Sequence, residues 1–171
     1  ALTAGSGQRE SYAAPAVLPP LSAATLAARF AASREAIETA RGVAARTGDE
    51  ERARALTGLL RPGRTFLSFD PRGGGLVAEV IGDLGRARRV AVVVPGADGS
   101  LTTFDSWKFT GGGARALYDQ ARRADPGSRL AVIAWLGYRT PKTIGTAALT
   151  DGRAAQAAAG MVEREPRSLR R

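Results

Sequence analysis

The stretch that decides the fold is residues 89–107, RVAVVVPGADGSLTTFDSW. Its opening run of apolar residues predicts a strand that is covered on both faces, as in a parallel sheet. A corner follows at Pro95 and Gly96, and a polar loop comes after it. Because α/β sheets place ligand sites beyond the carboxyl ends of their strands, this loop is a candidate functional site.

The segments that flank this strand complete an α/β pattern. TFLSFD and LVAEVIGDL, joined by PRGGG, predict an antiparallel β-hairpin. GGARALYDQARRA has helical spacing and LAVIAWLGY predicts a second buried strand, so the two strands and the helix form a βαβ unit. We therefore expect a mostly parallel sheet. A last helix is expected to begin at Thr150 or Asp151 and to end before Pro166.

Four zones are predicted along the chain. Residues 1–20 are expected to form a disordered lead, and residues 21–62 a helical hairpin whose helices begin near the capping residues Ser22 and Asp49. Residues 63–165 are assigned to the α/β unit, and residues 166–171 to a basic tail. The hairpin carries no cluster of polar residues, which favours a covering role over a binding role.

Composition narrows the possible functions. The 171 residues are 44% hydrophobic and carry a net charge of +9, but the arginines are dispersed and not interleaved with aromatic residues, which disfavours nucleic-acid binding. No apolar run is long enough to span a membrane. The chain has no cysteine or histidine, and no cofactor or metal site is expected. The small, polar start at Ala1 resembles the flank of a removed signal peptide, which favours a secreted or cell-envelope protein over a cytoplasmic one.

The corner after the first buried strand has two interpretations. The backbone N–H groups of Gly96 and Ala97 could form an oxyanion hole, since small residues leave space above the donors. The alternative is an ordinary Pro-Gly turn, and the residues alone leave both open. The motif is not a phosphate-binding loop.

Other side chains near the strand ends are candidate pocket residues. Trp135 and Tyr138 could form a pocket wall, although packing between sheet and helix is the commoner role of such residues. Asp98 and Asp105 could bind a polar substrate or shape the loop by hydrogen bonding, and we favour loop-shaping.

A paired-carboxylate site is also conceivable at the hairpin. Asp70 and Glu79 flank the Gly-rich turn, and two carboxyl groups can share acid and base roles. Residues at strand ends beside such turns are usually solvated, so we expect these two to be exposed.

The blocks SFDPRGGG, VAVVVPGADGSLTTFDS, ARALYDQAR, LAVIAWLGYRTPKTI and LTDGRAAQAA, in this order, carry a family resemblance. The chain resembles, over residues 65–159, the α/β-hydrolase family of actinobacteria long catalogued as a domain of unknown function. The resemblance implies that the hairpin and the two buried strands are the first four strands of that fold. It also implies that Gly96 and Ala97 occupy the position of the oxyanion loop.

The sequence departs from the family pattern where the nucleophile is expected. It contains no G-x-S-x-G motif and no histidine, so a Ser-His-Asp mechanism cannot operate within these residues. The resemblance thus implies the amino-terminal part of a serine ester or amide hydrolase, preceded by a helical hairpin and inactive alone. We expect it to require a complementary carboxyl-terminal segment or to self-associate. The alternative is a non-catalytic binding module that keeps the pocket without the nucleophile.

Overall fold

The computed structural model describes residues 12–15, 17–96 and 98–137. Three helices and four strands make up this part: α1 (Leu26–Arg46), α2 (Glu50–Leu59), β1 (Thr65–Asp70), β2 (Leu76–Ile81), β3 (Arg89–Val93), α3 (Thr110–Ala124) and β4 (Leu130–Leu136). The α/β class expected from the sequence is confirmed. The helix expected to begin at Thr150 or Asp151, and the basic tail, lie outside the described residues.

The described sheet is mixed, with the strand order β1-β2-β4-β3. β1 pairs antiparallel with β2, β2 pairs antiparallel with β4, and only β3 and β4 are parallel. By direction, β1, β3 and β4 run the same way and β2 alone is reversed, so both antiparallel pairings among the described strands involve β2. The short turn between β1 and β2 can only reverse the chain, whereas β3 and β4 are joined by α3, which gives enough length for a parallel crossover.

The burial of β3 also differs from expectation. Arg89 and Val90 are exposed and the remaining residues of β3 are half-buried, whereas β4 is buried from Ala131 onward. β3 pairs only with β4 among the described strands, so it forms one edge of the described part of the sheet, while β4 lies between β2 and β3. The apolar run therefore predicted the strand correctly, but β3 is less buried than that run indicated.

The two helices that precede the sheet follow the capping pattern of the sequence. The side chain of Asp49 accepts a hydrogen bond of 3.1 Å from the backbone N–H of Arg52, which confirms Asp49 as the cap of α2. At the other end of the hairpin, the Ser22 N–H donates to Thr25 Oγ1 at 3.0 Å in a short 3-10 turn that leads into α1. Both helices therefore begin where polar side chains satisfy free backbone groups.

The core consists of two apolar layers, one on each face of the sheet. One layer joins α1, α2, the loop after β3 and α3 to the sheet and includes Ile37, Leu56, Leu101, Phe104 and Ala114. The other includes Leu26, Leu67, Leu84, Ile133 and Trp135. Alternate residues of β4 enter alternate layers, as the two-residue period of a strand requires.

Buried arginines attach the helical hairpin to the sheet. Arg29 of α1 donates from Nε to the Leu67 carbonyl oxygen at 3.1 Å. Arg52 of α2 donates from Nη1 to the Gly73 carbonyl oxygen at 2.8 Å and from Nη2 to the Pro71 carbonyl oxygen. Some of the dispersed arginines therefore hold the fold together, which a reading of composition alone does not show.

Candidate functional site

The corner that follows β3 places Gly96 at the carboxyl end of that strand. Pro95 is buried while Gly96 is exposed, so the chain emerges at the surface between these two residues. Apart from its chain neighbours, no atom of the described residues lies within 4 Å of the position that a Cβ on Gly96 would take. The Gly96 N–H donates no hydrogen bond to any residue that the structure describes. Ala97 lies outside the described residues.

Hydroxyl groups organise the loop beyond this corner. Asp98 has a φ of 61° and its carbonyl oxygen accepts from Thr103 Oγ1 at 3.4 Å. The Ser100 N–H donates to Thr103 Oγ1 at 3.0 Å. Asp98 adopts the left-handed conformation that aspartate tolerates better than most residues, so it helps to shape the loop.

Apolar residues fasten the same loop to the hairpin turn. Leu101 and Phe104 are buried, and the Leu101 N–H donates to the Gly74 carbonyl oxygen at 3.2 Å. A Cβ on Gly75 would lie 2.8 Å from the Leu101 Cβ. Gly75 also has a φ of 81°, a conformation that favours glycine. The Gly-rich turn is therefore required for the close approach of this loop.

Four charged side chains form a network between the loop, β2 and α3. Arg64 donates from Nε and Nη2 to the two oxygens of Glu79, each at 2.7 Å. It also donates from Nη1 and Nη2 to the two oxygens of Asp105, each at 2.8 Å. A fifth hydrogen bond runs from Nη1 to the Gly58 carbonyl oxygen at 2.9 Å, so all five N–H donors of this guanidinium are used.

Arg115 of α3 closes this network from the other side. It donates from Nη1 to Glu79 at 3.1 and 3.0 Å, and from Nη2 to Asp105 at 2.6 Å. The Glu79 side chain is only 3% exposed, whereas that of Asp105 is 40% exposed. We call Arg64, Glu79, Asp105 and Arg115 the four-charge network. It lines an open cleft of about 530 Å³, together with residues of the α2–β1 turn and the end of β2.

The charges of this network stabilise one another. Burial lowers the pKa of Arg64, but its hydrogen bonds to Glu79 and Asp105 outweigh burial and raise that pKa above its ordinary value. Burial raises the pKa of Asp105, but the hydrogen bonds and charges of Arg64 and Arg115 hold it below its ordinary value. Asp105 is therefore a carboxylate near neutral pH and accepts hydrogen bonds only.

The sequence-predicted pocket residues do not form one group. Asp105 belongs to the four-charge network, on the face of the sheet that α3 covers. Trp135 is 7% exposed and packs in the opposite layer with residues such as Leu67. Asp98 lies in the loop after β3, and Tyr138 lies outside the described residues. Asp105 and Trp135 therefore cannot line the same pocket within the described structure.

The two hairpin carboxylates are not both exposed as expected: Glu79 is buried and Asp70 is half-buried. Glu79 is opposite Phe66 in the middle of β2 and is buried, whereas Asp70 at the end of β1 is held by Arg72 at 2.7 Å. A charge inside the apolar run LVAEVI could have indicated a buried ion pair, since an isolated buried carboxylate is strongly disfavoured. The partners Arg64 and Arg115 could not have been read from spacing.

The described residues define a class of fold: an α/β domain in which a polar loop follows the carboxyl end of a parallel strand. A family model described as alpha/beta hydrolase matches residues 70–171. The chain belongs to this α/β-hydrolase family.

Comparison with curated proteins gives relatives without an assigned activity. Two uncharacterized proteins from two strains of Mycobacterium tuberculosis are each 38% identical to the chain over 80 residues. That region is 44% of this chain and 12% of each relative, so the chain spans only a small part of the curated relatives it matches. No solved structure matches the chain. None of the described helices is both long enough and apolar enough to cross a bilayer.

Proposed function

We propose that this chain is the part of a serine hydrolase that supplies backbone donors to an oxyanion hole. The substrate class is an ester, thioester or amide. The observation that carries the proposal is Gly96 at the carboxyl end of β3: its N–H makes no hydrogen bond to described residues, and a Cβ added there would meet none of their atoms within 4 Å, its chain neighbours aside. Membership of the α/β-hydrolase family supports the same assignment. Ala97 is proposed as the second backbone donor.

The chemistry requires groups that are not encoded in residues 1–171, because the sequence has no histidine and no G-x-S-x-G motif. A serine Oγ supplied from outside attacks the substrate carbonyl carbon, while an external base takes the hydroxyl proton. The new O–C bond pushes the carbonyl π electrons onto oxygen. Backbone donors about 2.7–3.1 Å from that oxygen stabilise the negative charge in the transition state.

The four-charge network supports this role by holding the loop in place. Asp105 lies near the end of the loop that begins at Gly96, and Arg64 and Arg115 tie it to β2 and α3. A donor must be positioned within fractions of an ångström to act on a transition state. We assign the network to positioning, because its charges are paired with one another.

A pair of substitutions at Gly96 tests the oxyanion role. Gly96→Pro removes the N–H, whereas Gly96→Ala keeps it and meets no atom within 4 Å. The test uses this chain joined to, or mixed with, a segment that carries the nucleophile elbow and the histidine. We expect Gly96→Pro to lower kcat by about 10²–10³-fold and Gly96→Ala to have little effect. Equal activity of the two variants would remove Gly96 from the mechanism.

The chain by itself is expected to show no serine-hydrolase activity. A serine without a general base is not activated near neutral pH, so a fluorophosphonate probe should not label the purified chain. A control hydrolase with an intact elbow should be labelled under the same conditions. Stoichiometric labelling of any serine in this chain would contradict the proposal.

The second candidate function is a non-catalytic binding module of the same fold. It is favoured by the absence of both histidine and G-x-S-x-G from these residues. The coding sequence beyond Arg171 separates the two candidates. An in-frame GHSYG segment downstream would support the hydrolase, and a stop codon directly after Arg171 would support the binding module.

A further inference from the structure

Pairing of β3 with β4 brings together arginines that are distant in sequence. Arg89 lies opposite Leu130 in the parallel ladder. The backbone N–H groups of Arg88 and Arg89 both donate to the Arg129 carbonyl oxygen, at 2.8 and 3.1 Å. Three basic residues from two chain segments therefore meet at the amino ends of these strands.

These arginines line a separate cleft of about 360 Å³. Its lining residues are Arg88, Arg89, Asp125, Gly127, Ser128 and Arg129. The Asp125 carboxylate accepts from the Gly127 N–H at 3.1 Å, and Arg122 approaches the rim through a 3.4 Å hydrogen bond to the Ser128 carbonyl oxygen. We call this concavity the arginine cleft.

The guanidinium groups of the arginine cleft have no assigned structural role. Within the part of the chain that the structure describes, the side chains of Arg88, Arg89 and Arg129 make no hydrogen bond or ion pair. Arg64 and Arg115, by contrast, are tied to carboxylates. Three arginines without an ion-pair partner among the described residues line one concavity, and this concentration of positive charge points to an anionic ligand.

We propose that the arginine cleft binds the phosphoryl group of a small phosphorylated molecule. A guanidinium presents paired N–H donors that match phosphate oxygens, and three arginines line this cleft. The lining includes no aromatic or large apolar residue, so it offers neither a platform for base stacking nor a group for insertion into a bilayer. The free carboxylate oxygen of Asp125 would repel a continuous polyanion and can accept a hydrogen bond from a ligand hydroxyl.

The position of the cleft separates it from the proposed oxyanion site. Arg89 begins β3, and Gly96 follows the opposite end of the same strand. With a rise of about 3.3 Å per residue, the two sites lie more than about 10 Å apart. The inference does not depend on the proposed hydrolase function, because no group of the four-charge network or the Gly96 corner lines the cleft.

Matched triple variants test the proposal. Arg88, Arg89 and Arg129 are replaced by Gln in one variant, and the exposed arginines Arg41, Arg54 and Arg61 in the control. Both changes lower the net charge from +9 by three, to +6. All six side chains belong to exposed residues, so both proteins should fold, and urea unfolding verifies this.

Binding is measured by titration calorimetry with pyrophosphate and with inorganic phosphate, at fixed ionic strength. We expect the Arg88/Arg89/Arg129 variant to bind pyrophosphate about 100-fold or more weakly than the unmodified chain, and the control to bind it unchanged.

Two further titrations identify the source of the phosphoryl group. Vesicles of phosphatidylglycerol and a single-stranded oligonucleotide should bind equally weakly to both triple variants. The proposal is overturned if pyrophosphate fails to bind at millimolar concentration, or if both variants lose affinity equally. The proposal is also overturned if the Arg88/Arg89/Arg129 variant loses affinity for the vesicles alone, or for the oligonucleotide alone.

Discussion

Substitution of Arg64 by Met should strongly destabilise the chain. The change removes both 2.7 Å hydrogen bonds to Glu79, whose side chain is 3% exposed, and leaves that carboxylate inside the fold. Loss of one partner from a buried ion pair costs about 3–5 kcal/mol. Arg115 still donates to Glu79 at 3.0 Å, so we expect the lower end, about 3 kcal/mol.

Two companion variants separate the effect of leaving a buried charge without its partner from the effect of removing an arginine as such. Arg72→Met removes an ion pair with Asp70 in which the Arg72 side chain is 55% exposed, so it should destabilise the chain much less than Arg64→Met. Arg64→Met combined with Glu79→Met removes the buried carboxylate together with its partner, and Arg115 keeps Asp105 at 2.6 Å. We expect the double variant to be more stable than Arg64→Met alone, because a buried pair can be exchanged for apolar residues at little cost.

The free energy of unfolding is measured by urea titration, followed by tryptophan fluorescence, with the slope of the transition compared among variants. The reasoning is refuted if Arg64→Met is no more destabilising than Arg72→Met. It is also refuted if the effects of Arg64→Met and Glu79→Met simply add, because residues in direct contact should show a coupling energy.

Two other changes give independent tests. Because the folded-state pKa of Asp105 lies below its unfolded value, its contribution to stability is complete above about pH 4 and is lost as the pH falls through the folded pKa. In urea titrations between about pH 5 and 2, the free energy of unfolding should therefore fall less steeply with decreasing pH for Asp105→Asn than for the unmodified chain. An equal slope in the two proteins would contradict the network geometry. Gly75→Ala should lower stability by at least about 1–2 kcal/mol, since it combines a positive φ with a close contact to Leu101. The matched control Gly74→Ala meets no atom within 4 Å and should change the urea midpoint little; equal losses would show that the loop contact is unimportant.

The sequence identified the regular elements because their signals are local. The apolar runs that became β3 and β4 and the helical spacing of α3 depend on residues that are neighbours in the chain. The cap at Asp49 needs only an N–H three residues away. The family blocks also lie in order along the chain, so the resemblance to α/β-hydrolases could be recognised without a structure.

Only the tertiary structure decided which charges meet. Arg64 and Asp105 are 41 positions apart, and Arg88 and Arg129 precede the two strands that the crossover joins. Glu79 lies inside an apolar strand, where the sequence shows its charge but not the two guanidinium groups that stabilise it. Such contacts depend on strand order and on the seating of α3 and the loop after β3, and these are fixed by packing across the whole core, which no local pattern in the chain encodes.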